Sequence, residues 1–259
     1  DMHLSGCPRP DEVEAHASES AVDLFLVSNR AAAGIAAGGA DVDEADANAA
    51  CLTACEECRL LVPLYWVRPG KFDSNATAFR GALRSEPFVG AVFCPAANGF
   101  DLRDEQLLGP YLSVLAELQL PALFRAGSSE SCSILHAITL ARRYPDVPVV
   151  LHDQYQPGLW TEVVEQVRRL VDQREAQVYL DVCGVRTEDV RSALSVVGAG
   201  QLLFGSGTKL VGPADAKACR QRLEELRQSI DAGALAQITA ANARRLFRPS
   251  MTRPVPEPE

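Results

Sequence analysis

The feature that most constrains this chain is an alternation that runs almost from end to end. Short apolar, β-prone runs lie at 1–4, 22–28, 60–67, 89–95, 121–127, 148–153, 178–183 and 202–207. Most are apolar on both faces, as strands buried in a parallel sheet are, rather than alternating apolar with polar. Longer helix-like runs lie between and after them, at 43–58, 73–85, 104–119, 131–144, 159–175, 187–197, 214–230 and 235–247. The first two strand-like runs are joined by a stretch with no strong helical pattern. Eight strands alternating with about as many helices specify the α/β class and, within it, a (β/α)8 TIM barrel. The rival, an open doubly wound sheet, should carry a phosphate loop, yet no GxGxxG follows a strand and no GxxxxGK[ST] occurs. At 259 residues the chain suits one barrel domain over 1–248. The Pro-rich end PSMTRPVPEPE (249–259) reads as a disordered tail, and AAAGIAAGGA (31–40) reads as a flexible loop.

Helix starts and stops agree with this order. Asp73-Ser74-Asn75 and Thr187-Glu188-Asp189 each open a helical run, and Ser131, with Ser128 and Ser129 beside it, is placed to cap the run that follows. Composition narrows the partners. The 25 Lys and Arg against 34 Asp and Glu give a formal net charge of -9. With no long basic run, a nucleic-acid footprint is not expected. No stretch approaches a membrane span, and no secretory signal opens the sequence. The 8 cysteines are too sparse for a disulfide scaffold and read as reduced thiols in a cytoplasm. Cys51, Cys55 and Cys58 spell C-x3-C-x2-C, a spacing known from iron–sulfur sites. Here it falls in a continuous helix and reads as one packed face.

Barrel sites form at the C-terminal ends of the strands, so chemistry is sought there. His3 and Ser5 end the first run, Trp66 and Arg68 the third, and Cys94 the fourth. Arg125 ends the fifth, His152 and Asp153 the sixth, Asp181 and Cys183 the seventh, and Ser206 and Lys209 the eighth. Only four histidines are present (His3, His16, His136 and His152), which bounds any metal site. The proton-moving candidates are His3, His152, Asp153 and Asp181, with Arg125 as an anion clamp. Ser5, Trp66, Cys183, Ser206, Lys209 and Trp160 are candidates for ligand binding. Cys94 and Cys183 are also the better placed of the thiols for a functional role. Trp160, read as lying in a loop beyond the sixth strand, is the candidate anchor for a ligand or a second subunit.

Taken in order, Asp1-Met2-His3, PLYWVRPG at 63–70, RRYPDVPVVLHD at 142–153, VYLDV at 178–182, LLFGSG at 202–207 and ANARRLF at 241–247 resemble the amidohydrolase superfamily, in its amidohydrolase-related branch of TIM-barrel hydrolases and decarboxylases. The resemblance implies a metal held by His-x-His after strand 1, a His after each of strands 5 and 6, and an Asp after strand 8. Carried over, those positions fall on His3, Ser5, Arg125, Asp153 (with His152 one residue early) and Gly207. Ser5, Arg125 and Gly207 lack the expected donors, and a guanidinium repels a cation. The expectation is therefore no metal cofactor, with a single ion on His3, His152 and Asp181 as the alternative. Functionally this implies a non-hydrolytic or pseudoenzyme subunit that keeps a rim pocket for a small, anionic ligand. It would form a homodimer or pair with an active relative. The alternative is an active hydrolase or decarboxylase with an altered mononuclear or metal-free site.

Overall fold

The computed structural model describes residues 9–29, 43–69, 76–127, 129–152, 155–205 and 213–247. The expected first strand, the 31–40 loop and the 249–259 tail lie outside them. Eight strands are present among the described residues: β1 (Phe25–Val27), β2 (Leu61–Pro63), β3 (Tyr65–Val67), β4 (Ala91–Phe93), β5 (Ala122–Arg125), β6 (Val149–His152), β7 (Val178–Asp181) and β8 (Leu202–Leu203). Every pairing is parallel. β1 pairs with β2, and β3 to β8 form one sheet whose order is the chain order. That sequential order is the topology of a (β/α)8 barrel; a doubly wound sheet would reverse direction at a switch point.

Parity along the strands separates two cores. Val67, Phe93, Phe124, Leu151, Leu180 and Leu202 pack outward against the helices. Trp66, Val92, Leu123, Val150, Tyr179 and Leu203, each one residue out of phase with those, join a second cluster that Leu246 and Phe247 complete. One inner residue from each of six consecutive strands meeting in a single cluster means that the sheet curls around them. A packed barrel interior has this form.

The outer layer is built from α1 (Pro10–Ser20), α2 (Glu44–Glu57), α3 (Thr77–Ser85), α4 (Pro95–Asn98), α5 (Glu105–Leu118), α6 (Ile134–Arg143), α7 (Trp160–Asp172), α8 (Thr187–Val197), α9 (Pro213–Ser229), α10 (Ala232–Ala236) and α11 (Asn242–Leu246). α1 corrects the expectation of no strong helix before the second strand-like run. It buries only Val13, His16 and Ser20 and packs on α9, so its sequence shows little amphipathic pattern. The legible signals were Pro10 at its first position with Asp11 and Glu12 in its first turn. The cap of α6 is Ser133, whose hydroxyl accepts from Leu135 N–H, rather than Ser131, which lies in a 3-10 turn. The thiols here pack as structural residues: Cys51 in α2 and Cys58, the extended residue just after it, are buried with Val13, Phe25 and Leu61. A hydrogen bond with Cys55 and burial push the Cys51 thiol up, away from the reactive thiolate.

The single run expected at 60–67 is broken at Leu64, whose N–H turns to Val27 O while Tyr65 N–H turns to Gly90 O. Among the described residues, β3 therefore pairs with β4 on one side and with no strand on the other. Helix α2 fills the vacant edge. The Asn48 side chain accepts from Trp66 N–H at 2.8 Å and donates to Trp66 O and to Glu44 O, each at 2.9 Å. The Glu44 carboxylate accepts from Arg68 N–H at 2.6 Å and Tyr65 O–H at 2.8 Å. Asn48→Ala should strand both backbone groups of Trp66 and cost about 2–4 kcal/mol in urea denaturation. Asn48→Asp should be no better, because a carboxylate would face two carbonyl oxygens. A loss under about 1 kcal/mol for both variants would show that the edge is satisfied otherwise.

Candidate functional site

The strand parity that builds the inner core also builds a polar rim above it. Two residues beyond Trp66, Val92, Leu123, Val150, Tyr179 and Leu203 stand Arg68, Cys94, Arg125, His152, Asp181 and Gly205. Sequence reading left His152 and Asp153 as competitors for the interior. The structure gives that side of β6 to His152, in phase with Val150.

The centre of the rim is a pair. His152 Nδ1 is hydrogen-bonded to Asp181 Oδ2, with side-chain exposures of 6% and 0%. The other carboxylate oxygen, Oδ1, accepts from Cys183 N–H at 2.9 Å. A carboxylate at Asp181 only accepts, so Nδ1 is the donor of this bond, and in the neutral imidazole the lone pair then sits on Nε2. A carboxylate behind a histidine in this way fixes its ring and its tautomer, as behind metal-ligating histidines. Arg125 is opposite His152 in the β5–β6 register and is half-buried. On the far side Arg68 is buried, its guanidinium 5.5 Å from the centre of the Trp66 ring. Trp66 is itself an inner-core residue, its indole N–H donating to Asn98 at 3.2 Å. Burial and the neighbouring Glu44 carboxylate push the Tyr65 phenol well above its usual range, so it stays a neutral donor.

The structure thus brings Trp66, Arg125, His152, Asp181 and Cys183 to one end of the barrel. It does not bring Trp160 there. Trp160 is the first residue of α7 rather than part of a loop, is 3% exposed, and donates its indole N–H to Asp189 O on α8 at 3.1 Å. The apolar run after it is why it packs between helices. His3, Ser5, Asp153, Ser206 and Lys209 lie outside the described residues. Sequence reading missed Gly205, which has no side chain to notice, and the Glu44–Asn48 clamp, whose partners are many residues away.

Among the described residues no group of three or more His, Cys, Asp or Glu side chains is placed to hold a metal ion. The donor chemistry of His152 nevertheless fits one ligand, since Asp181 holds Nδ1 and in the neutral ring Nε2 carries the lone pair. Among the described residues, no helix is long and apolar enough to cross a membrane.

Solved structures share this architecture. They include 2,6-dihydroxybenzoate decarboxylase from Rhizobium, at 15% identity and TM-score 0.67, covering 93% of this chain and 88% of that one. Another is 5-carboxyvanillate decarboxylase from Novosphingobium aromaticivorans, complexed with manganese and 4-hydroxy-3-methoxy-5-nitrobenzoic acid (14% identity, TM-score 0.66, 91% and 79% covered). A third is dihydroxybenzoic acid decarboxylase from Polaromonas sp. JS666, with bound manganese and the inhibitor 2-nitroresorcinol (14%, 0.62, 93% and 86%). No curated protein matches the sequence. The manganese in two of these structures overturns the expectation of no metal cofactor. That expectation counted ligand residue types at inherited positions and gave no weight to a histidine oriented by a carboxylate on the next strand. The Amidohydrolase family matches residues 12–248, nearly the whole barrel, and the chain belongs to that family.

Proposed function

We propose that this protein binds a small aromatic carboxylate at the barrel rim, beside a single divalent metal ion, and decarboxylates it. The observation that carries the reading is Arg125, in register with His152 and next to the buried His152–Asp181 pair. A guanidinium fork matches a carboxylate bidentately, so Arg125 grips and orients the substrate. It also explains how a cation can sit beside a metal: the substrate carboxylate lies between the two and attracts both, offsetting their mutual repulsion.

The roles rest on the His152–Asp181 pair for the described residues, and on position in the sequence alone for His3, Ser5, Asp153, Ser206 and Lys209. His152 Nε2 and His3 would hold the metal, and Asp181 keeps His152 in the ligating tautomer. When bound, a divalent ion polarises an oxygen of the substrate. Trp66 and the apolar layer beneath it close the floor and exclude water from the reacting face. Loss of carbon dioxide requires a proton at the ring carbon, and Asp153 is our candidate to deliver it. Ser5, Cys183, Ser206 and Lys209 are assigned to the rest of the ligand wall.

The replacement of an imidazole donor by Arg125 favours a second reading, in which the barrel binds such a ligand without turning it over and serves as a subunit beside a second copy or an active relative. One experiment separates the two. Manganese-loaded protein is incubated with 2,6-dihydroxybenzoate and related aromatic carboxylates, and ring product is followed by proton NMR while binding is followed by calorimetry. Turnover that is lost in Arg125→Met supports the enzyme. Saturable binding without product supports the subunit. Neither binding nor product would sink both.

A further inference from the structure

Just beyond β8, the chain passes the His152–Asp181 pair at Gly205, which has no side chain at all. A Cβ built on Gly205 would overlap Asp181 Oδ1 and lie 2.8 Å from both Cγ and Oδ2. Real Cβ atoms do not come that near. The backbone does not require glycine here: among the described residues the positive-φ glycines are Gly99, Gly184 and Gly198, and Gly205 is not one of them. What position 205 needs is empty space. It also has the inward phase, two residues beyond Leu203, so the direction in which its side chain would point is the direction of the rim.

We propose that the rim carboxylate of this barrel is delivered from β7 across the face of β8. Asp181 occupies the volume of an inward β8 side chain, and Gly205 is the positioning residue that makes room for it. The carboxylate is then held from three directions. His152 Nδ1 donates to Oδ2 from β6, Cys183 N–H donates to Oδ1 from β7 itself, and the bare backbone of Gly205 forms the wall on the β8 side. A methyl group at 205 pushes the carboxylate off this wall. Oδ2 then leaves Nδ1, and the imidazole loses the partner that selects its tautomer. This deepens the proposed function, since it names what sets the geometry of the same pair. It is read out, however, without substrate or metal.

The test uses the full chain with 15N-labelled histidine in chelator-treated buffer. His152 is assigned among the four histidines by the signal lost in His152→Gln. The wild-type ring should be a single tautomer with the proton on Nδ1. In Gly205→Ala the Nε2–H tautomer should become populated to a comparable level, whereas a residue that merely filled space away from Asp181 would leave the ring unchanged. A double-mutant cycle supplies the second readout. Asp181→Gly vacates the volume, so Gly205→Ala should cost at least tenfold less in the folding equilibrium constant in that background than in the wild type. If Gly205→Ala alone does not fold but Asp181→Gly/Gly205→Ala does, the proposal stands on the same ground. An unchanged tautomer with additive costs overturns it, and so does failure of both variants to fold, because the space is then required by something other than Asp181. An inactive wild-type protein with the coupling intact would count against the decarboxylase reading and leave this one standing.

Discussion

Manganese should bind this protein tightly only together with a carboxylate ligand, and Arg125→Met should remove that dependence. The reason is the β5–β6 register, which sets Arg125 beside His152. A divalent ion and a guanidinium about 7 Å apart, at an effective dielectric of about 20, repel each other by on the order of 5 kcal/mol. The Asp181 carboxylate offsets part of this from the other side. A bound carboxylate, placed between the two cations, turns the remainder into attraction. In calorimetric titrations, 2,6-dihydroxybenzoate should tighten manganese binding by at least about tenfold, equivalent to roughly 1.4 kcal/mol of coupling. By reciprocity, manganese should tighten the acid equally. Arg125→Met, which keeps length and apolar volume, should bind manganese better than wild type without ligand and gain little from adding it. Equal manganese affinity in the four conditions would remove Arg125 from the site.

Removing Asp181 should produce the largest loss from any single rim substitution. Its side chain is fully buried, and it accepts from His152 Nδ1 and Cys183 N–H at once. Asp181→Ala leaves both donors buried without their acceptor, which should cost about 2–4 kcal/mol in urea denaturation. Loss of the orienting carboxylate behind the imidazole should weaken manganese binding by about 10- to 100-fold. Asp181→Asn should separate the two effects. Its single carboxamide oxygen can serve only one of the two donors well, so stability should fall by about 1 kcal/mol while metal binding falls nearly as far as in the alanine variant. An Asp181→Ala protein that binds manganese like wild type would show that His152 does not ligate it.

The sequence made the barrel readable because its strands are buried on both faces. The apolar runs at 89–95, 121–127, 148–153 and 178–183 each contain one of β4 to β7, and period-two parity then put Arg125, His152 and Asp181 on one rim. Where burial was asymmetric or sparse, the reading failed. α1 buries three residues and looks like a polar connection. Trp160 looks like a loop aromatic, because the indole's partner, Asp189 O, belongs to a helix that starts 27 residues later. The metal was misjudged for a related reason. A ligand inventory by position cannot see that a carboxylate on β7 stands behind a histidine on β6. Gly205 was invisible on similar grounds, since an absent side chain has meaning only once its neighbour's position is known.

The amide of Asn48 that lies along β3 has a consequence beyond the stability of this one molecule. A strand edge with bare N–H and C=O groups is a template on which another chain can add, and crowded, newly made protein is where such additions begin. Here one group of each type, Trp66 N–H and Trp66 O, would be the first rung of such a template, and a helix borne by the same chain occupies it. The helix comes earlier in the sequence than the strand it covers, so the cap is already synthesised when the edge emerges. The protection is therefore built into the order of synthesis. A circular permutant that made β3 before α2 would expose that rung to its neighbours, and its yield of soluble protein would fall even if its finished fold were the same.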